Sequence, residues 1–133
     1  MAETTEFELV TPEKLVFSER SEMVVVPGSE GLFAAMPRHA PFISTLKPGV
    51  LEVYEGGKVK QRIFVAGGFA EVTPERLTVL AEEAVPVADL DRGQVETRLK
   101  DLKDDLAAAK SDAEKAQVMA AIDIAEAKLK AAA

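Results

Sequence analysis

The sequence predicts a mainly β protein with an α-helical end. Residues 1–88 are predicted as an N-terminal antiparallel β-sandwich of about ten strands, and residues 89–133 as a C-terminal antiparallel two-helix hairpin. All seven prolines and seven of the eight glycines precede Asp89, so turns punctuate only the first part. Short apolar and β-branched runs recur there at intervals of about 8–12 residues. From Asp89 onward, 12 of 45 residues are alanine and none is proline, which favours helices.

The strand predictions come from these apolar runs and from the turn residues between them. The runs lie at residues 7–10, 15–18, 23–26, 32–36, 42–46, 50–54, 59–65, 69–72, 77–80 and 85–87. The pair Gly56-Gly57 separates two of them and supplies the positive φ angles of a tight hairpin turn. Within residues 50–54, apolar Leu51 and Val53 occupy alternate positions and would therefore lie on the same face of a strand. This pattern predicts that the face carrying these two side chains packs inward.

Two capping patterns predict where the helices begin. Asp91 followed by Gln94, and Ser111 followed by Glu114, each place a side-chain acceptor three residues before an amide or carboxylate. The apolar stripes behind them recur at steps of three and four: Val95, Leu99, Leu102, Leu106 and then Val118, Ile122, Ala125, Leu129. Each helix should span about 18–20 residues. Because both stripes are narrow, we expect a hairpin that docks weakly on the sandwich and moves; a permanently packed helical cap is the alternative.

Composition excludes several functional classes. A net charge of −7 disfavours binding to a phosphate backbone, and the absence of cysteine excludes disulfides, thiolate nucleophiles and sulfur-ligated zinc. The N-terminus lacks the basic and apolar parts of a signal peptide. The longest run without strongly polar residues, 63–70, is shorter than the ~18 residues that span a bilayer. We therefore expect a soluble, cytosolic chain with no direct bilayer insertion.

No catalytic motif is recognisable, so we expect neither an enzyme nor a metal or cofactor site. The single histidine, His39, cannot form a histidine-rich metal site. It lies in a loop braced by Pro37 and Pro41. There it serves either as a surface contact or as a side chain that hydrogen-bonds the backbone and fixes the turn, and the spacing favours the second role.

Several motifs resemble a known family. VPGSEG (26–31), PRHAPFI (37–43) and LKPG (46–49) are similar to the first signature of the ε subunit of bacterial F-type ATP synthases. GGFAEV (67–72) and LTVLAE (77–82) look like its second signature. The resemblance extends in order over essentially the whole chain, including the change to a terminal helical pair.

This resemblance implies a non-catalytic rotor subunit in the central stalk of a proton-translocating ATP synthase. Such a subunit binds the γ subunit, sits on the c-ring, and couples ring rotation to ATP synthesis in the catalytic head. It contacts the catalytic α/β subunits transiently. The implied location is the cytoplasmic face of the bacterial inner membrane, with peripheral attachment through the complex. Without the family, the same pattern describes a β-sandwich adaptor with a helical docking arm.

Contact residues follow from matching the family signature position by position. The residues implied to meet the c-ring or γ are Glu30, Gly31, Leu32, Met36, Arg38 and His39. Glu30 is expected to pair with a basic residue of the ring. Ala34 and Arg38 occupy positions where relatives often have glycine, and Arg38 adds a possible electrostatic contact of its own.

The hairpin carries a degenerate form of a nucleotide motif. Some relatives bind ATP there through Ile or Leu, Asp, two variable residues, Arg and Ala, with more arginines in the second helix. The matching residues here are Leu90, Asp91, Gln94 and Val95, with Lys128 near an expected arginine. Glutamine cannot replace a bidentate guanidinium, so we expect no bound ATP. A nucleotide-sensing regulatory switch nevertheless stands as the alternative function.

The hairpin also has a possible inhibitory role, because related ε subunits extend it into the catalytic head and slow ATP hydrolysis. The basic residues available for such contacts are Lys100, Lys103, Lys115, Lys128 and Lys130. Residues 89–133 carry ten acidic and eight basic residues, so the net attraction to acidic loops is weak. Solvation of exposed helix faces with i,i+4 partners is the alternative role of these lysines.

Overall fold

The computed structural model describes residues 3–132 of the chain. The chain divides between Val87 and Ala88 into two compact units. Within the described residues, the first unit holds ten β-strands in two five-stranded sheets, and the second holds two α-helices. The predicted fold class, a β-sandwich followed by a helical hairpin, is confirmed.

The strands follow the predicted runs closely. In chain order they are β1 (Thr5–Val10), β2 (Leu15–Ser21), β3 (Met23–Gly28), β4 (Gly31–Ala35), β5 (Phe42–Thr45), β6 (Gly49–Glu55), β7 (Lys58–Ala66), β8 (Phe69–Val72), β9 (Arg76–Leu80) and β10 (Glu83–Pro86). Most predicted ends lie within one or two residues of the observed ones. The last strand ends before Val87, which instead begins a 3₁₀ turn, Val87–Asp89.

The two sheets have the strand orders β2-β1-β9-β8-β5 and β10-β7-β6-β3-β4. Among the strand pairs of residues 3–132, β1 and β9 alone run parallel, with Glu6 opposite Arg76. The expectation of an antiparallel sandwich therefore holds except at this pair. Two strands so distant in sequence are not joined by a hairpin, and an apolar pattern carries no information about their relative direction.

The sandwich core consists mainly of aliphatic side chains, with Phe7 fully buried among them. It includes Phe7, Leu9, Val24, Val26, Ala35, Leu46, Leu51, Val53, Ile63, Val65, Ala70, Val72, Leu77, Val79 and Ala81. Leu51 and Val53 point inward from β6, as the alternation predicts. The ring centroid of Phe7 lies 5.4 Å from that of Phe17, which packs against the edge of the core.

Two glycine pairs shape the sandwich. Gly56 and Gly57 have φ angles of 61° and 74° and form the predicted tight turn between β6 and β7. Gly68 has a φ of 88°, and a Cβ atom added there would lie 1.7 Å from the carbonyl oxygen of Leu80. The backbone of Gly68 thus lies directly against β9, leaving no space for a side chain.

The second unit is an α-helical hairpin, α1 (Arg92–Ala108) and α2 (Asp112–Ala131). The Asp91 carboxylate caps α1 by accepting from the Gln94 N–H at 3.1 Å. The Ser111 hydroxyl accepts from the Glu114 N–H at 3.1 Å, and the Glu114 carboxylate accepts from the Lys110 N–H at 3.1 Å. Both predicted caps are present, and Glu114 reaches one residue further back than a capping box requires.

Most residues of the predicted apolar stripes meet between the helices; Val95 and Leu129 lie outside this cluster. Leu102, Ile122 and Ala125 are buried together. Leu99, Leu106, Val118 and Ala121 pack around them and remain partly exposed. The hairpin core is small, because three buried residues form its centre and the residues around them stay partly exposed.

Candidate contact site

A cleft lies between two edge strands of the sandwich. β4 is the last strand of the second sheet and β5 the last strand of the first. They are tied at one end, where the Ser29 N–H donates to the Thr45 carbonyl oxygen at 2.9 Å and the Thr45 hydroxyl donates to the Ser29 hydroxyl at 2.8 Å. The remaining length encloses a cleft of about 380 Å³, lined by residues 29–33 and 42–45.

The cleft exposes apolar side chains from both sheets. Leu32 of β4 is 72% exposed, and Ile43 and Phe42 of β5 are 64% and 45% exposed. Phe33 contacts Phe42 edge to face, with 5.2 Å between the ring centroids. Large apolar side chains that cluster on a surface mark interaction sites, because water contact with them is unfavourable. The cleft therefore has the character of a protein contact surface.

One carboxylate borders this apolar surface. Glu30 lies in the turn between β3 and β4 and is exposed. It forms no ion pair with any residue between Glu3 and Ala132. Its charge is therefore available to a basic group of a partner.

A short loop leads from β4 to β5 and is held at Arg38. The His39 N–H donates to the Met36 carbonyl oxygen at 3.1 Å and closes a turn. Arg38 adopts a φ of 66°, and its N–H donates to the Pro74 carbonyl oxygen at 2.8 Å. The Arg38 guanidinium pairs with the Glu3 carboxylate. These contacts fix the loop against the turn between β8 and β9, and they hold an uncommon backbone conformation for a non-glycine residue.

His39 bonds the backbone of its own loop. Its Nδ1 lies 2.6 Å from the Ala40 carbonyl oxygen, a distance at which Nδ1 carries the proton and donates. The imidazole centroid is 6.3 Å from that of Phe42, so the ring lies beside the cleft. The backbone contact matches the structural role that the spacing favoured, while the partly exposed ring also lies next to the proposed contact surface.

The structure places the sequence-predicted contact residues in two neighbouring groups. Glu30, Gly31 and Leu32 line the cleft. Met36, Arg38 and His39 lie in the loop that follows β4. Phe42 and Ile43 were not predicted as contact residues, although the motif PRHAPFI contains both. The available signal was an apolar pair directly after Pro41; both side chains are exposed because β5 is an edge strand, which no local pattern reveals.

Three of the five predicted nucleotide residues, Asp91, Gln94 and Val95, lie at the start of α1. Asp91 caps the helix, Val95 is buried, and Gln94 is exposed with its N–H donated to Asp91. Leu90 precedes the cap, and Lys128 is half-buried on α2. An open cavity of about 500 Å³ beside the cap is lined by Asp91, Gly93, Gln94, Thr97, Arg98 and Asp101.

That cavity presents one guanidinium and two carboxylates, a poor set for a triphosphate, whose oxygens require several positive or N–H donors. No group of three or more side chains in residues 3–132 is arranged to hold a metal ion. Neither described helix combines the length and apolarity needed to cross a membrane.

Comparison with known proteins defines the class to which this fold and surface belong. Residues 4–87 match the family model described as ATP synthase, Delta/Epsilon chain, beta-sandwich domain. The sandwich is therefore one of the β-sandwich domains found in the delta or epsilon chains of ATP synthases.

Relatives that include the hairpin identify the family. The chain is 62% identical over 131 residues to the ATP synthase epsilon chain of Rhodospirillum rubrum, covering 98% of both proteins. It is 54% identical over 127 residues to that of Paramagnetospirillum magneticum, covering 96% of both. The chain belongs to the ATP synthase epsilon chain family, as the sequence motifs predict.

Solved structures share the fold. A chain of the Euglena gracilis mitochondrial ATP synthase, from a cryo-EM structure of OSCP, F1 and c-ring in rotational state 1, superposes with a TM-score of 0.81 at 26% identity. The match covers 97% of this chain and 81% of that one. A chain from the central stalk and c-ring of the Tetrahymena thermophila enzyme has a TM-score of 0.70 at 14% identity, covering 98% of both chains, and supports the fold alone.

Proposed function

We propose that this chain is a non-catalytic central-stalk subunit of a proton-translocating F-type ATP synthase. In this role it turns with the rotor and couples c-ring rotation to ATP synthesis in the catalytic head. The observation that carries the proposal is the 62% identity to an ATP synthase epsilon chain over 131 residues, which includes both the sandwich and the hairpin. The Euglena structure, which contains F1 and a c-ring, supports the same assignment.

The chemistry of the cleft supports a binding role without catalysis. Glu30 is the one titratable side chain among the residues that line it. General acid–base catalysis requires a positioned partner for such a group, and the other lining side chains are apolar or hydroxyl-bearing. This lining supports our proposal that bond-making belongs to other subunits of the complex.

We propose that the c-ring binds the end of the sandwich that is formed by the cleft and the loop after β4. The exposed apolar side chains, the Glu30 carboxylate, which has no ion-pair partner within residues 3–132, and the partly exposed His39 ring lie there together. A ring partner that presents loops toward this end would meet both an apolar surface and a negative charge. Attachment to the membrane is then peripheral, at the cytoplasmic face of the bacterial inner membrane, and passes through the complex.

We propose that the γ subunit binds the outer face of the first sheet. Val10 lies opposite Leu15 on one side and Leu80 on the other, and Leu80 lies opposite Phe69. Leu15, Leu80 and Phe69 are 57%, 40% and 40% exposed. The four side chains form an apolar row across β2, β1, β9 and β8, the type of surface that a permanent partner covers.

The hairpin is proposed to regulate ATP hydrolysis weakly through transient contact with the catalytic α/β subunits. Its small buried core supports this proposal, because few apolar contacts resist a change of conformation. The poor donor set at Asp91–Asp101 disfavours nucleotide sensing as its function. Removal of residues 89–133 is expected to raise ATP hydrolysis by the assembled complex. Unchanged hydrolysis would count against regulation.

Deletion and complementation test the main proposal. Membranes from a strain that lacks this chain should lose ATP-driven proton pumping, and the full-length chain should restore it. A tagged copy should co-purify with γ and the c-ring, as read by mass spectrometry. The chain truncated after residue 88 is the matched control and should still co-purify, since both proposed contact surfaces lie in the sandwich. Normal pumping without the chain would contradict the proposal.

A further inference from the structure

We infer that Arg38 is a positioning residue: its side chain ties the segment before β1 to the loop after β4, and so favours one conformation of that loop before any partner binds. The family signature places Arg38 among the contact residues, whereas the structure gives its guanidinium a partner within the chain, Glu3. The inference rests on the proposed function in one respect, because the loop belongs to the surface proposed for the c-ring.

The loop after β4 is not held in place by burial. None of the side chains of residues 36–41 is buried, although Ala35, at the end of β4, is. An open cavity of about 600 Å³ lies beside the loop, and Pro37 and Arg38 line it together with Glu3 at the other side. Because a loop without buried side chains gains little from apolar burial, its conformation depends on hydrogen bonds and on the ion pair.

The backbone of Arg38 shows that the loop requires such support. Its φ of 66° lies in the left-handed region, where the Cβ of a non-glycine residue comes too close to a carbonyl oxygen. Such conformations persist only where surrounding contacts hold them. Two contacts do so here: the Arg38 N–H donates to the Pro74 carbonyl oxygen at 2.8 Å, and the guanidinium donates to the Glu3 carboxylate. Glycine would adopt this φ without strain but would lack the second contact.

The segment before β1, residues 3–4, is itself anchored to the first sheet. The Arg20 Nε donates to the Thr4 hydroxyl at 2.8 Å, and Arg20 Nη2 donates to the Thr4 carbonyl oxygen at 3.1 Å. Arg20 belongs to β2, a strand of the first sheet, whereas β4 belongs to the second. The Glu3–Arg38 pair therefore ties a loop that leaves one sheet to a segment that is fixed on the other.

Two further carboxylates line the same cavity, and neither replaces Glu3 as the partner of Arg38. Glu6 pairs with arginines of β2 and β9. Glu75 is exposed and forms no ion pair with any residue between Glu3 and Ala132. Glu75 is therefore a matched control for Glu3, since it carries the same charge beside the same cavity without a bond to Arg38.

The ion pair favours one loop conformation without locking it. The side chains of Arg38 and Glu3 are 78% and 57% exposed, so water and salt screen the attraction between them. Loss of such a pair changes an equilibrium by a small factor, about threefold. High salt should have the same effect as removing one partner.

Amide hydrogen exchange of the full-length chain, followed by NMR, measures how often the loop opens. The amides of Arg38 and His39 report on it, since both donate hydrogen bonds in the closed loop. In Glu3→Gln both amides should exchange about threefold faster than in the wild type, whereas Glu75→Gln should leave their rates unchanged. Salt at about 1 M should bring the wild type close to Glu3→Gln. Equal acceleration in the two variants would assign the effect to the net charge of the cavity and overturn the inference.

A charge swap separates the ion pair from other roles of the Arg38 side chain. Arg38→Met keeps an unbranched side chain without its charge, and it should accelerate exchange at His39 as much as Glu3→Gln does. Combining the two substitutions should add nothing, because each removes the same pair. Glu3→Arg together with Arg38→Glu should return the rate to within about twofold of the wild type, a rescue that packing of the arginine stem would not give. Additive single effects without rescue would overturn the inference.

Binding to the complex distinguishes positioning from direct contact. Purified full-length chains are titrated onto membranes that carry the ATP synthase of a strain lacking this chain. Glu3→Gln and Arg38→Met should bind alike, and neither should lose more than about threefold in affinity, because both alter only the fraction of closed loop. A loss confined to Arg38→Met would show that its guanidinium contacts the partner and would overturn the inference. Failure of the wild-type chain to bind would overturn the proposed function and leave the exchange results unaffected.

Discussion

The sandwich and the hairpin bury their apolar side chains to very different extents. In the sandwich, Phe7, Leu9 and Leu51 are fully buried between two sheets. In the hairpin core, Leu102 and Ile122 remain 4% and 8% exposed, and Ala125 is the third buried residue, with Leu99, Leu106, Val118 and Ala121 only partly buried around them. Sandwich positions therefore depend on residues distant in sequence, whereas hairpin positions depend mainly on local helix propensity, two caps and one narrow seam.

This difference separates two requirements of a rotor subunit. A contact surface assembled from edges of two sheets keeps its geometry only while both sheets stay in register. The regulatory role proposed for the hairpin requires the opposite property, because the contacts of the hairpin must then be replaced at low cost in free energy. Variants that lower the stability of one unit and leave the stability of the other unchanged test whether the sandwich and the hairpin are independent in this way.

The largest expected effect is at Gly68, where β8 lies against β9. Gly68→Ala would place a Cβ 1.7 Å from the Leu80 carbonyl oxygen, on a residue with a φ of 88°. The strands must shift to relieve this overlap, so we expect the free energy of unfolding to fall by about 3 kcal/mol. Urea unfolding, monitored by the fluorescence of the single tyrosine, Tyr54 in β6, measures the stability of the sandwich specifically.

Gly57→Ala is the control for this prediction. Gly57 has a φ of 74°, and beyond its two chain neighbours no residue has a heavy atom within 4 Å of a Cβ added there. Only backbone strain opposes the substitution, so the expected cost is about 1 kcal/mol. Equal losses in the two variants would show that the contact with Leu80 does not restrict the sandwich.

A smaller effect, confined to the hairpin, is expected for Leu102→Ala. The leucine is buried against α2, and its truncation should reduce the stability of the hairpin by about 2 kcal/mol. The helical circular-dichroism signal, recorded during urea unfolding, should report this loss of stability. The unfolding transition recorded by tyrosine fluorescence should not change. Met119→Ala, at a helix position that is 56% exposed, should leave both signals unchanged. A tyrosine transition that shifts together with the helical signal would show that the two units unfold as one body.

Local patterns predicted the elements that local forces determine. The Gly56-Gly57 turn, the Leu51 and Val53 alternation and the two helix caps each depend on residues within a few positions of one another, and each is present. Most residues of the two helical stripes also meet as predicted, since a short connection lets two amphipathic helices cover each other's apolar seams.

The cleft could not be predicted in this way, because it depends on strand order. β4 and β5 are consecutive in sequence but end different sheets, and no pattern within residues 31–45 identifies them as edges. The exposure of Phe42 and Ile43 follows from that order. The Glu3–Arg38 pair, which joins residues 35 positions apart, and the parallel β1–β9 pair are long-range features for the same reason.

The smallest expected effect is electrostatic and lies between the two sheets. Lys60 of β7 pairs with Glu19 of β2 and, at 3.1 Å, with Glu55 of β6. Hydrogen bonds from the Lys60 ammonium to Glu19 and then to Glu55 raise the pKa of Lys60 above its ordinary value. Since the pKa is higher in the folded chain, the stabilisation is fully present below the unfolded pKa of about 10.4 and is lost as the pH rises through the folded value.

The variant Lys60→Met tests whether the stabilisation by Lys60 is lost as the pH rises. The wild type should have a slightly higher urea midpoint than the variant at pH 8, and the difference should shrink above about pH 10.4. Added salt at pH 8 should also reduce it, because the Lys60 side chain is 41% exposed and its ion pairs are screened. Tyr54, whose pKa burial raises, is present in both proteins, so its ionisation largely cancels in the comparison. A difference that stays constant with pH and salt would assign the role of Lys60 to packing of its aliphatic stem instead of to its ion pairs across the two sheets.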